Sequence, residues 1–137
     1  MQKISAGNIN EKDASAGEIM RGSEAYPVLL REIPNAPEKL FYKGDITLLR
    51  TRCMAVVGTR KPTEYGRWAA HKIGKRLAEE GITVVSGMAA GIDSLAHKGA
   101  LAAGGKTIAV FGTGTDVCFP ASNKKLMEEI AASASTR

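Results

Sequence analysis

No apolar run in this sequence approaches the roughly 18 residues that a membrane span requires. Its opening, MQKISAGNINEKDASAG, is too polar for a signal peptide. These two absences exclude a helical membrane protein and a secreted one, and the expected location is the cytoplasm. Cysteine is scarce: Cys53 and Cys118 stand far apart, follow no metal-ligand spacing and lie in or beside apolar segments, so buried free thiols are expected. Two histidines and scattered carboxylates make no metal site. No G-x-G-x-x-G follows the first strand of the α/β part and no G-x-x-x-x-G-K-[ST] occurs, which excludes the usual dinucleotide fingerprint and the P-loop. No G-x-S-x-G and no Ser-His-Asp or Cys-His order suggests a hydrolase. What remains is a 137-residue chain with 44% hydrophobic and 24% charged residues, enough for one soluble domain with its own core.

The charge is unevenly placed. Residues 39–76 hold ten basic side chains against Asp45 and Glu64, whereas residues 1–38 hold four against six and residues 77–137 five against six. A basic middle third points to a polyanionic partner; the plainer reading is a solvated Lys/Arg face.

Along the chain, residues 1–24 are polar and rich in Ser, Gly, Ala and Glu, and are expected to form a loosely attached arm. YPVLLREI (26–33) predicts a short helix with Pro27 in its first turn. KLFYKG (39–44) predicts a strand, and DITLL (45–49) a helical turn capped by Asp45. From position 53 the pattern alternates. CMAVVG (53–58), ITVVSG (82–87) and KTIAVFG (106–112) read as strands, the first covered on both faces. Helices are expected at 64–80, capped by Thr63 and stopped by Gly81, at 93–104, and at 122–133, capped by Ser122. This rhythm predicts a right-handed α/β unit: a Rossmann-like parallel sheet over 25–137 with helices on both faces, in three layers.

In open parallel sheets, ligands bind beyond the carboxyl ends of the strands. All three predicted strands end there in glycine-rich loops: GTRKPT (58–63), SGMAAGID (86–93) and GTGTD (112–116). Glycine admits close backbone approach, and the N–H groups of a following helix face an anion. Three such loops, one carrying Arg60 and Lys61, predict a phosphate-shaped site. Asp93 and His97 share a helix face beside it, either as acid–base machinery or, the favoured reading, as braces for the loop. On the helix 64–80 the expected apolar stripe is Tyr65, Ala69, Ile73 and Leu77. Trp68 points nearly opposite, among Arg67, His71, Lys72 and Lys75, where it lies under lysine stems, makes a subunit contact or stacks a base; a contact surface is the favoured reading.

Taken together, YPVLLREIPNAPEKLFYKG (26–44), VVGTR…YG (56–66), VVSGMAAGIDSLAHKGAL (84–101), KTIAVFGTGTD (106–116) and FPASNKKL (119–126) resemble the DprA/Smf family of DNA-processing proteins. The S-G-x-A-x-G-I-D-x-x-A-H segment is the most specific part. The resemblance implies an extended Rossmann-like domain that binds single-stranded DNA, protects incoming strands in natural transformation, helps load a RecA-type recombinase, acts as a homodimer and needs no cofactor or catalysis. It implies that Gly58, Thr59 and Arg60 form the Gly-Ser/Thr-Arg motif, with the arginine and Lys61 on a DNA phosphate. It further implies that Ser86 and Gly87 offer hydroxyl and backbone donors, that Gly91, Ile92, Asp93 and His97 complete the second motif with the last two as braces, and that Gly112 and Gly114 form the third loop. Phe119 stands where the family usually has tyrosine. The family domain continues past residue 137 through an Arg/Asn-rich motif and more strands, so the chain is expected to be a naturally short relative or a piece of a longer protein. The competing function, from the wider Rossmann-like group, is binding of a nucleotide or nucleotide-derived metabolite. In that case Asp93 or His97 would be the acid–base of a LOG-like phosphoribohydrolase, although the Gly-Gly-x-Gly-Thr plus Glu motif of those enzymes does not occur here.

Overall fold

The structure, a computed structural model, describes residues 3–6, 16–115 and 117–133. Its elements run β1 (Lys3–Ala6), β2 (Ala16–Met20), α1 (Val28–Arg31), β3 (Lys39–Lys43), a 3-10 turn (Ile46–Arg50), β4 (Cys53–Ala55), α2 (Glu64–Glu79), β5 (Thr83–Ser86), α3 (Ile92–Ala102), β6 (Thr107–Phe111), a second 3-10 turn (Ala121–Asn123) and α4 (Lys124–Ala132). The six strands make one sheet in the order β2-β3-β1-β6-β5-β4. β4, β5 and β6 are mutually parallel, and β1 then pairs antiparallel with β6 and parallel with β3. The Rossmann-like α/β fold is therefore present. The expected loose arm is corrected: 3–6 and 16–20 are strands of the sheet, with β2 antiparallel to β3, and 7–15 lie outside the described residues. These strands are only four and five residues long (KISA and AGEIM), too short for a two-residue hydrophobic period to stand out.

Local chemistry sets the element ends. Asp45 Oδ1 accepts from the Thr47 backbone N–H at 2.8 Å, Thr63 Oγ1 accepts from Gly66 N–H at 3.1 Å, and Gly81 and Gly104 close α2 and α3 at φ 72° and 67°. Ser122 does not cap α4. That helix begins after the 3-10 turn, and Asn123 turns its amide to donate to the Met88 carbonyl at 2.8 Å.

One face of the sheet carries α2, α3 and α4. Val84 packs there with Ala96 and Ala100, and Ala109 packs with Met88, Leu126 and Ile130. The stripe that α2 buries is Ala70 and Gly74 with half-buried Gly66, Leu77 and Ala78; of the expected stripe Ala69 and Leu77 are half-buried, but Tyr65 and Ile73 are exposed. The reason is a close helix crossing in which small residues fill the contact and hydrophobicity marks it poorly. The opposite face is built on Tyr26, Leu40, Leu48, Ile19 and Ile108, under only the one-turn α1 and a 3-10 turn. A groove of about 840 Å³ remains there, walled by Leu29, Leu30, Cys53, Val85 and Val110.

β4 overturns another expectation. Among the described residues it is an edge strand paired only with β5, and Cys53, Met54 and Ala55 are exposed, as is Val57 at 68%. Cys53 is thus not a buried thiol, and Cys118 is half-buried. A run of apolar residues predicts burial; whether a neighbour covers it is a property of the sheet order, which the run does not encode.

Candidate nucleic-acid interface

The carboxyl ends of β4, β5 and β6 lie side by side, so their loops meet. A cleft of about 380 Å³ opens between them. Arg60 lines it from the first loop, Met88, Ala89 and Ala90 from the second, and Phe111, Gly112 and Thr113 from the third, with Phe119 and Pro120 closing the far wall. Among the described residues, no carboxylate stands within ion-pair distance of the Arg60 or Lys61 side chain. A guanidinium over an apolar wall suits a phosphate with an attached flat ring. Phe119, exposed at 70%, was noticed in the sequence only as a departure from tyrosine; nothing local marks it as a wall.

Asp93 is the brace. Its Oδ1 accepts from Gly58 N–H and its Oδ2 from Gly87 N–H, each at 3.2 Å, so one carboxylate ties the first loop to the second. Ile92 N–H donates to the Thr59 carbonyl at 3.1 Å, a second tie between the same loops. Gly91 makes this approach possible: at φ 88° a Cβ there would lie 2.8 Å from the Arg60 carbonyl carbon.

These ties correct part of the expected donor set. The Gly58 and Gly87 amides are committed to Asp93, and the Ser86 hydroxyl donates to the Val56 carbonyl at 2.6 Å from a buried position. All three hold the loops' shape instead of facing the cleft. Thr59 Oγ1 accepts from Lys61 N–H at 3.2 Å. Gly112 borders the cleft; Gly114 accepts from Val117 N–H at 3.0 Å in the third loop's turn, and Asp116 of that loop lies outside the described residues.

His97 is fully enclosed. Its Nε2 lies 2.7 Å from the Gly87 carbonyl oxygen and its Nδ1 2.7 Å from Thr107 Oγ1. Burial lowers its pKa from 6.5 to about 4, against the opposing pull of the Gly87 carbonyl and the Asp93 carboxylate. The ring is therefore neutral near pH 7. Because a carbonyl only accepts, Nε2 carries the proton; on the other side the Thr107 hydroxyl, with one hydrogen, lies between two acceptors, Nδ1 and the Val84 carbonyl oxygen at 2.8 Å. Both side chains are thus engaged in holding the loops, and neither is among the residues that line the cleft. The depressed pKa makes a prediction. Below pH 6.5 the unfolded chain binds a proton that the folded one refuses, so stability falls as pH drops from 6.5 toward 4. At pH 5 the loss from this group is about 2 kcal/mol. Urea unfolding at pH 7.5 and pH 5 measures it; a His97→Gln variant with an equally steep pH dependence would rule it out.

Comparison with known proteins gives the same assignment. Residues 18–136 match the family model described as DNA recombination-mediator protein A. The chain belongs to this family. It is 48% identical over 107 residues to DNA processing protein DprA of Streptococcus pneumoniae, covering 78% of this chain and 38% of that protein. It is 45% identical over 111 residues to Protein Smf of Synechocystis, covering 78% and 28% respectively. The X-ray structure of the S. pneumoniae DprA superposes with a TM-score of 0.79 at 44% identity, over 84% of this chain and 40% of that one. A Helicobacter pylori DNA processing protein A, solved to explain its single-stranded DNA binding mode, gives a TM-score of 0.67 at 30% identity, over 88% and 53%. As a member of the DNA recombination-mediator protein A family, the chain thus spans about a third of the curated relatives it matches.

Proposed function

We propose that this chain is a single-stranded DNA-binding module, with the three-loop cleft as the seat of one nucleotide and Arg60 as its phosphate ligand. The observation that carries this reading is that Arg60 lines the cleft together with an apolar wall, and has no carboxylate partner among the described residues. The basic excess in residues 39–76 and the relative solved for its single-stranded DNA binding mode support it. Lys61 adds charge at the rim. On this reading the protein works in the cytoplasm on DNA taken up or processed as single strands and hands it to a RecA-type recombinase, consistent with the mediator description of its family. No described helix is long and apolar enough to cross a membrane. The open edge of β4 favours a homodimer or a larger assembly.

The test is a salt titration of labelled oligothymidine. Affinity should fall with a log–log slope of about 0.7 per phosphate contacted. Arg60→Ala should weaken binding by about 10- to 100-fold and lower that slope by roughly one contact's share. Tight binding of a nucleoside monophosphate with no preference for the oligonucleotide would replace this reading with the metabolite-binding one.

A further inference from the structure

The outward face of α2 carries two aromatic rings that the fold leaves uncovered. Tyr65 is 75% exposed and Trp68 55%, and their ring centroids lie 5.7 Å apart with the planes inclined at 36°. One turn further on, the Lys72 ammonium sits 4.5 Å from the Trp68 ring centroid. Rings of this size are normally buried, and an exposed pair is surface held ready for a flat, apolar contact. Its location is informative. Tyr65 occupies the first turn of α2, and its Cα lies at most about 18 Å from that of Arg60, since five residues separate them. The charge along the helix is graded. Among the described residues, Arg60, Lys61, Arg67 and Lys72 have no carboxylate within ion-pair distance, whereas Lys75 and Arg76 are paired with Glu79 and Glu80. Lys72 lies over one ring, and residues 60–72 hold four unpaired cations against the single carboxylate Glu64, whereas ion pairing begins beyond them.

Unpaired cations interleaved with exposed rings are the chemistry that tracks a single nucleic-acid strand, phosphates on the former and bases on the latter. We propose that Tyr65 and Trp68 form a stacking platform for unpaired bases of the same strand whose phosphate is held at Arg60. Lys61, Arg67 and Lys72 neutralise the phosphates between. Lys72 already lies over Trp68, so a base enters on the Tyr65 side. This inference rests on the cleft reading above. A protein partner is the other occupant of such rings; the excess of four unpaired cations over one carboxylate in residues 60–72 favours a polyanion.

Trp68 is the single tryptophan of the chain, so its emission reports on this face alone. Oligothymidine should quench it with the same midpoint as the anisotropy of a labelled strand. Tyr65→Ala and Trp68→Ala, both at exposed positions and so compatible with folding, should each weaken oligonucleotide binding by about 5- to 150-fold. The salt slope should stay unchanged, unlike in Arg60→Ala. If the strand binds but the emission does not move and both variants bind like the parent, the platform is excluded while the cleft reading stands. If the strand does not bind at all, both fall. If the two variants keep full oligonucleotide affinity but lose association with a protein, the face is a protein contact and the proposal is wrong.

Discussion

Asp93→Ala should cost about 3–5 kcal/mol of stability, a large share of the roughly 5–15 kcal/mol available to a domain of this kind. The carboxylate accepts from two backbone amides in different loops. Each charge-assisted bond contributes about 1.5–3 kcal/mol, and its removal leaves an amide without a partner at a half-buried site. The effect extends beyond stability, because the first loop carries Arg60 and Asp93 is one of its two ties to the second loop. Oligonucleotide binding by the fraction that remains folded should therefore weaken by at least about tenfold. Asp93→Asn separates the two roles. Its side-chain oxygen can keep one amide, but its NH2 faces the other, donor against donor, so the loss should be intermediate. Urea unfolding near pH 7.5, together with strand anisotropy scaled to folded protein, checks both. If Asp93→Ala keeps the parent's midpoint and affinity, the clamp is not what shapes the cleft.

Gly99→Val is expected to be comparably severe. The crossing of α2 and α3 brings the two backbones into contact: a Cβ at Gly99 would lie 2.9 Å from Lys75 N and closer still to the His71 carbonyl oxygen, while one at Gly74 would lie 3.0 Å from the Ala96 carbonyl carbon. Both obstacles are backbone, so only separation of the helices relieves the overlap, and α3 carries Asp93 and His97 with it. The gain in helix propensity on replacing glycine is below about 1 kcal/mol, whereas overpacking costs about 1–3 kcal/mol and more where backbone must move. A net loss of about 3 kcal/mol should appear as a fall in melting temperature of roughly 10 °C. A Gly99→Val protein melting with the parent would show that the helices do not meet as closely as described.

What the sequence could reveal followed the range of each signal. Caps and stops are local: Asp45, Thr63 and Gly81 act within four residues and were legible, whereas the 3-10 turn before α4 displaced the cap expected at Ser122. The meeting of the three loops was legible too, because parallel strands in a right-handed α/β unit leave no other arrangement for their carboxyl ends. The Asp93 and His97 braces could be placed beside the loops by helical spacing. The donors were misread at Gly58, Ser86 and Gly87 because a motif gives the identity of a group and not its direction; all three point inward to partners between 6 and 35 residues away. The face of α2 was misread because glycine and alanine carry the packing. The exposure of β4 and the membership of β1 and β2 in the sheet are set by strand order, and strands of three to five residues do not announce it.

The position of β1 has a further consequence, for the order of assembly. It lies between β6 and β3, with Lys3 opposite Phe111. Residues 3–6 are thus paired with a strand roughly a hundred residues further along the chain. The β4–β5–β6 unit closes over loops of roughly 30 residues, whereas the slot for β1 closes over roughly a hundred, nearly two doublings, which adds about 1 kcal/mol of closure entropy. β1 is the strand that joins β2–β3 to β6–β5–β4, so this long-range pairing is what makes the two halves one sheet.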